Sequence, residues 1–162
     1  MSYHCLSRLI VKFGYNYRMD ELSAALGVAQ LERIEELLDK RERVAAWYNE
    51  RLSSLEEVKI THIALSTTRM SWFVYVIRLA SHLDRRAVME ELAQRGIPTR
   101  PYFPPIHLQP FYRERFGYQE DDFPITEQVA RSTLALPFHG KLTEEEVAHV
   151  CQELKEVIGG QL

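Results

Sequence analysis

Cysteine is scarce in this chain: Cys5 and Cys151 are the only two among 162 residues, and they form no CxxC pair. Two thiols so placed make no disulfide framework and suit a reducing compartment. Long apolar runs are missing as well. The first dozen residues carry positive charge only at Arg8 and Lys12, and their apolar run is just Leu9-Ile10-Val11, too short for a signal-peptide core. Nowhere does a stretch approach the roughly 18 apolar residues of a membrane span, so a soluble, cytoplasmic protein is expected. There is no excess of positive charge: the formal net charge is -3. Basic and acidic residues alternate in Glu32-Arg33 and in Asp39-Lys40-Arg41-Glu42-Arg43, as on a solvated helix face. Neither nucleic acid nor an anionic membrane is expected as a partner. The six histidines, His4, His62, His82, His107, His139 and His149, show no metal-ligand spacing, so no metal site is expected. GxSxG, Walker and GxGxxG motifs are absent, and the acidic pairs Glu35-Glu36 and Glu56-Glu57 sit in charged surroundings that suit solvated surface.

What remains is an ordinary globular composition, 46% hydrophobic and 27% charged, long enough for one domain with a sizeable core. Asp20 is a plausible N-cap. After it, Leu22, Leu26, Ala29, Leu31, Ile34, Leu38, Ala45, Tyr48 and Leu52 recur mostly at three- and four-residue steps. One helix over 20–53 would be roughly 50 Å long at about 1.5 Å per residue; it either breaks near Gly27 or projects beyond the domain. A short strand is expected at Val58–Thr61, then a polar turn at 66–68. Ser71–Leu79 is the clearest strand and, being apolar on both faces until Arg78, is expected to be covered on both sides. Leu83–Arg95 reads as a helix with Val88, Met89 and Leu92 inward, stopped by Gly96 and Pro98. Residues 99–112 contain Pro101, Pro104, Pro105 and Pro110, which argue for an extended, rigid loop. A helix over Ile125–Ser132 follows, then a strand at Leu134–Leu136. Thr143 and Glu146 form a capping box opening a last helix that Gly159-Gly160 ends. The fold class is α+β: a small antiparallel or mixed sheet flanked by helices, preceded by a long N-terminal helix.

Two segments stand out chemically. Gly14-Tyr15-Asn16-Tyr17-Arg18-Met19 puts an amide and a guanidinium just before a helix start, groups that bind phosphate; equally, such a loop can simply cap the helix. Residues 100–112 hold Arg100, Tyr102, His107, Gln109 and Tyr112 on a proline-stiffened path of the kind that lines ligand sites, or that packs its aromatics into a core.

The run GYNYRMDELSAALGVAQL from Gly14 to Leu31 resembles the signature GYNYRM-x-x-x-x-AALG-x-x-QL of the DegT/DnrJ/StrS-type aminotransferases. These are fold-type-I enzymes that use pyridoxal phosphate (PLP) to aminate nucleotide-linked keto sugars. Gly96–Pro110 resembles their second C-terminal signature, and Phe123-Pro124, Leu134–Pro137 and Leu142-Thr143 follow in the family's order. The resemblance implies the small domain of such an enzyme: an N-terminal arm over 1–19 carrying the GYNYRM motif, and the small domain over 20–162. It implies that Asn16 reaches across a dimer interface to the PLP phosphate of the neighbouring subunit, with Arg18 in the same anionic neighbourhood. Arg100, Tyr102, His107 and Gln109 would lie near the sugar-nucleotide pocket. The family's reaction moves an amino group from an amino acid, glutamate by expectation, to the keto sugar, in a homodimer or higher oligomer.

The chain departs from the family at the chemistry itself. PLP aminotransferases need a lysine that binds the cofactor as a Schiff base and shuttles its proton, plus an acidic partner for the pyridine nitrogen. In the family both precede the asparagine motif, in a large domain. Here fifteen residues precede Asn16, and Lys12, Lys40, Lys59, Lys141 and Lys155 do not sit in a comparable segment. The expectation is a chain that lacks the PLP-binding domain, holds no PLP by itself and is inactive alone. It would depend on a separate large-domain polypeptide, or else serve as a non-catalytic module that associates with a partner or a sugar nucleotide.

Overall fold

The computed structural model describes residues 17–161 and the backbone of one pair of short strands nearer the start. The chain divides into two compact units, Met1–Glu35 and Glu36–Leu162. In the first, β1 (Cys5–Leu6) pairs antiparallel with β2 (Leu9–Ile10), and α1 spans Glu21–Glu32. Asp20 caps α1 as expected, its carboxylate accepting from the Ser23 N–H at 2.9 Å. The apolar stripe does not bury there. None of α1 is buried, and Leu22, Leu26, Val28 and Leu31 are all exposed.

The expected long helix is two helices, and the break is not at Gly27. It falls at Arg33, whose backbone leaves helical geometry at φ -111°, ψ 13°; α2 then runs Ile34–Leu52. Gly27 stays inside α1 because one glycine weakens a helix by only about 1 kcal/mol.

The second unit is built on a sheet in the order β3 (Val58–Lys59), β4 (Tyr75–Leu79), β6 (Thr133–Leu136), β5 (Arg100–Pro101). Every pairing is antiparallel, with Val58 opposite Leu79, Tyr75 opposite Leu136 and Arg100 opposite Ala135. β3 and β4 are shorter than the sequence predicts. Past Lys59 the edge is held by a side chain, Thr61 Oγ1 donating to the Val76 carbonyl at 3.1 Å. Before Tyr75 the chain turns at Trp72, which has φ 48°, a conformation that ends a strand. The two-sided burial expected of β4 is only partial: Tyr75, Ile77 and Leu79 are buried while Val76 and Arg78 are half-exposed. That is the alternation of a sheet with one packed face. On the outer face Arg78 Nε donates to Ser132 Oγ at 3.2 Å, at the end of α5 (Pro124–Ser132).

The packed face meets α2, α3 (Arg85–Gln94) and α6 (Glu144–Gly159). Val44, Tyr48 and Leu52 of α2, Val88 and Leu92 of α3, and Val147, Leu154 and Val157 of α6 join Tyr75, Ile77 and Leu134 in one core. Tyr48 and Tyr75 stack at 4.6 Å between ring centroids. Each buried phenol has an acceptor: Tyr48 donates to the Pro137 carbonyl and Tyr75 to Asn49 Oδ1, both at 2.7 Å. Burial pushes the Cys151 thiol up to about 12, so it packs as a small apolar group rather than reacting. The capping box opening α6 makes both its bonds, Glu146 N–H to Thr143 Oγ1 and Thr143 N–H to Glu146 Oε2. Gly96, at φ 81°, ends α3 where a left-handed residue is required.

Because the buried apolar residues, among those described, all lie in the second unit, Leu154→Ala is expected to cost about 2–5 kcal/mol. Leu26→Ala, on exposed α1, should change stability by less than about 0.5 kcal/mol. Urea unfolding of both variants checks the contrast, and equal losses would contradict the core assignment.

Candidate functional site

The proline-rich segment is more regular than its composition suggests. Pro101 lies in edge strand β5, where a missing N–H is tolerated. Ile106–Leu108 forms one 3-10 turn, and α4 (Pro110–Phe116) starts with Pro110 in its first turn, where proline's fixed φ suits a helix. The expected extended loop is therefore a strand, a turn and a helix in succession. Gly117, left-handed at φ 75°, closes α4 by donating to the Arg113 carbonyl.

Folding places the singled-out residues unevenly. Asn16 lies outside the described residues. Arg18 is exposed, two residues before the α1 cap. Arg100 is exposed on β5. Tyr102 is 37% exposed, with its ring edge-on to Phe103 at 4.9 Å. Gln109 uses its backbone, its carbonyl accepting from the Tyr112 and Arg113 N–H groups at the start of α4. Among the described residues, no hydrogen bond or ring contact joins the side chains of Arg100, Tyr102, His107 and Gln109 to one another. Only His107 is built into a polar network: it is 8% exposed, and its Nε2 lies 3.0 Å from Glu127 Oε1.

Glu127, 1% exposed, is the residue that reading the sequence misses. A glutamate in the first turn of a helix begun by Pro124 looks like an ordinary complement to the helix dipole, and nothing in the intervening stretch of chain predicts its partner. The fold turns it inward instead. Its Oε1 accepts both from His107 and from the Asp121 N–H at 2.9 Å, a bond made possible by Asp121's left-handed backbone, φ 70°. Oε2 is buried with no hydrogen bond; Arg131 Nη1 is 3.8 Å away. Burial pushes this carboxyl up, but the bonds from His107 and from the Asp121 and Phe123 backbones outweigh it and hold the group below its ordinary 4.5. The carboxylate is thus ionised near neutral pH, and His107 presents its N–H at Nε2.

Rings surround the pair. His107 is 4.8 Å from Phe123 and 6.3 Å from Tyr118, centroid to centroid; Phe116 is 5.8 Å from Tyr118 and 6.0 Å from Tyr112. They line an open cleft of about 430 Å³. A group that can anchor PLP covalently is harder to find. A lysine suited to Schiff-base chemistry is normally desolvated. Of the four described lysines, Lys59, Lys141 and Lys155 are exposed, and Lys40, half-exposed, pairs with Glu36. The described residues do not fit covalent PLP binding.

A four-stranded antiparallel sheet with helices on its packed face is the small-domain architecture of fold-type-I aminotransferases. The aminotransferase TlmJ from Streptoalloteichus hindustanus superposes with a TM-score of 0.81 at 26% identity, over 95% of this chain and 40% of TlmJ. Residues 2–155 match the model of the DegT/DnrJ/EryC1/StrS aminotransferase family, and the chain belongs to that family. It is 39% identical over 148 residues to the GDP-perosamine synthase of Caulobacter vibrioides, covering 90% of this chain and 39% of the relative. With the spore coat polysaccharide biosynthesis protein SpsC of Bacillus subtilis it shares 29% identity over 91% of this chain and 39% of SpsC. The chain therefore spans about two-fifths of the length of these relatives. No described helix is long and apolar enough to cross a membrane.

Since Glu127's folded pKa is lowered, its contribution to stability should be fully present above 4.5 and lost as pH falls through the folded value. Wild type should thus be more stable than Glu127→Gln near neutral pH, and the gap should close in acid. Urea unfolding at the two extremes tests this; a gap that persists in acid would assign Glu127 a charge-independent role.

Proposed function

We propose that these residues form the C-terminal part of a PLP-dependent sugar aminotransferase that transfers an amino group, from glutamate by expectation, to a nucleotide-linked keto sugar. The observation that carries the reading is the family match over residues 2–155. The 39% identity to an enzyme named as a GDP-perosamine synthase supports a nucleotide-linked substrate. In this reading residues 1–19 are an arm that brings Asn16, and beside it Arg18, to the cofactor phosphate of a neighbouring subunit, and 20–162 form the small domain. Arg100, Tyr102, His107 and Gln109 border the sugar-nucleotide pocket. The enzyme is a cytoplasmic homodimer or higher oligomer.

PLP, when bound, supplies the electron sink for amino transfer, and its lysine lies outside these 162 residues. They bind no PLP covalently and do not transaminate alone; a large domain must be supplied. Exposed Leu22, Leu26, Val28 and Leu31 on α1 support such a covering partner, because apolar patches of this kind mark interaction surfaces.

The direct test is a chimera in which this chain replaces the matching C-terminal part of the Caulobacter enzyme. Amino transfer from glutamate to the GDP-linked keto sugar is expected. A folded, PLP-loaded chimera with no activity would sink the reading. With the 162-residue chain alone, added PLP and borohydride should yield no adduct on any one of the five lysines; a single specific adduct would overturn the predicted inactivity.

A further inference from the structure

Arg78 is the only charged residue of β4, and it stands half-exposed on the outer face of the sheet. Its inner nitrogen is tied down. Nε donates to Ser132 Oγ at 3.2 Å, and that hydroxyl turns its own hydrogen back to the carbonyls of Gln128 and Val129, at 2.9 and 3.2 Å. The two terminal nitrogens of the guanidinium carry four more N–H groups, and these have no acceptor among the described residues. Arg78 lines a cavity of about 190 Å³ between β4 and α5, together with Ser81, Gln128, Arg131 and Ser132. No aspartate or glutamate lines it.

The ordinary role of arginines in this place would be to complement the C-terminal end of α5, whose last carbonyls lack partners within the helix. That role is already filled. Arg85 Nη1 donates to the carbonyls of Ala130 and Thr133, and the Ser132 hydroxyl serves those of Gln128 and Val129. Arg78 bonds to no helix carbonyl. Arg131 is exposed and lies 3.8 Å from Glu127 Oε2, beyond hydrogen-bond reach. Two guanidiniums beside one cavity repel each other, and an anion between them turns that repulsion into attraction.

Size and donor directions select the anion. The cavity is smaller than the roughly 300–1,000 Å³ of sites that enclose a whole ligand, so it takes a single group. One guanidinium satisfies both oxygens of a planar carboxylate. Here the donors come from three directions: Arg78 on β4, Ser81 in the turn after it, and Gln128 with Arg131 on α5. The Ser81 hydroxyl and the Gln128 amide have no hydrogen-bond partner among the described residues. A tetrahedral phosphate has oxygens for donors on several sides. Arg78 also borders a second cavity of about 330 Å³, floored in part by Ile60, Val76 and Val129, which leaves room for whatever carries the phosphate.

We propose that the cavity between β4 and α5 binds a phosphate dianion, free or carried by a small phosphomonoester, on the guanidiniums of Arg78 and Arg131, with Ser81 and Gln128 completing the donors. Ser132 serves as a positioning residue, holding Arg78 by Nε so that its terminal N–H groups stay available. A nucleotide-linked sugar carries no phosphomonoester, so the inference goes beyond the aminotransferase reading and does not rest on it.

The experiment is calorimetric titration of the 162-residue chain with inorganic phosphate and with ribose 5-phosphate. Acetate is the carboxylate control, and chloride holds the ionic strength constant. At least one phosphate should bind saturably at one site per chain, and the tighter of the two shows whether the group is taken free or esterified. Arg78→Gln should weaken that ligand about tenfold or more. Arg131→Gln, at an exposed position, should also weaken it while leaving the unfolding midpoint of the free protein unchanged, so the test survives if Arg78→Gln does not fold. Arg86→Gln removes the same charge from a guanidinium already paired with Glu90 and should bind like wild type. Four results would each overturn the proposal: no saturable binding of either phosphate, equal binding of acetate, wild-type binding by Arg131→Gln, or an equal loss in Arg86→Gln. None of them touches the chimera that tests amino transfer, so the two readings stand or fall separately.

Discussion

Strand β6 pairs on both sides, with β4 through Tyr75 opposite Leu136 and with β5 through Arg100 opposite Ala135, and much of the domain depends on that double pairing. Leu134 and Leu136 press into the core. The residue after the strand, Pro137, offers the carbonyl that satisfies the buried Tyr48 hydroxyl. The helix immediately before it, α5, carries Glu127. Four residues of strand thus set the packing of α2 on one face and the position of the buried Glu127 carboxylate beyond the other end. A buried strand tolerates no slip in register, because one residue of slip would exchange its buried and half-exposed faces.

Glu127 and His107 sit twenty residues apart in the chain and share one hydrogen bond in a place covered from water. Covering a carboxylate is unfavourable unless donors replace the water, and here the donors come from His107 and from Asp121 in a left-handed conformation that non-glycine residues adopt seldom. The arrangement is asymmetric: Oε1 accepts two hydrogen bonds, while Oε2 accepts none and has only Arg131 Nη1 at 3.8 Å. Such a site holds the imidazole ring by one nitrogen, beside the aromatic cleft that His107 helps to line.

Local chemistry was legible where it is self-contained. Asp20, Thr143 with Glu146, and Gly96 act within a few residues of themselves, and all three do what their types and spacings predict. The family signatures likewise lie in contiguous segments and were enough to identify the family. The proline-rich segment misled because proline excludes helix interiors and central strands yet is welcome at a first helical turn and on an edge. Whether a proline meets one or the other depends on where its neighbours are.

Sequence alone therefore determined the fold class, the caps, the last two helices to within a residue or two, and membership in the aminotransferase family, since each depends on periodicity or contiguous motifs. It also picked out His107. Only the tertiary structure decided that the first helix breaks at Arg33, that α1 leaves its leucines exposed, and that Glu127 turns inward to meet His107. Those outcomes depend on which surfaces come together across long stretches of chain. Burial and partnering are properties of that assembly, and no local pattern around Glu127 encodes them.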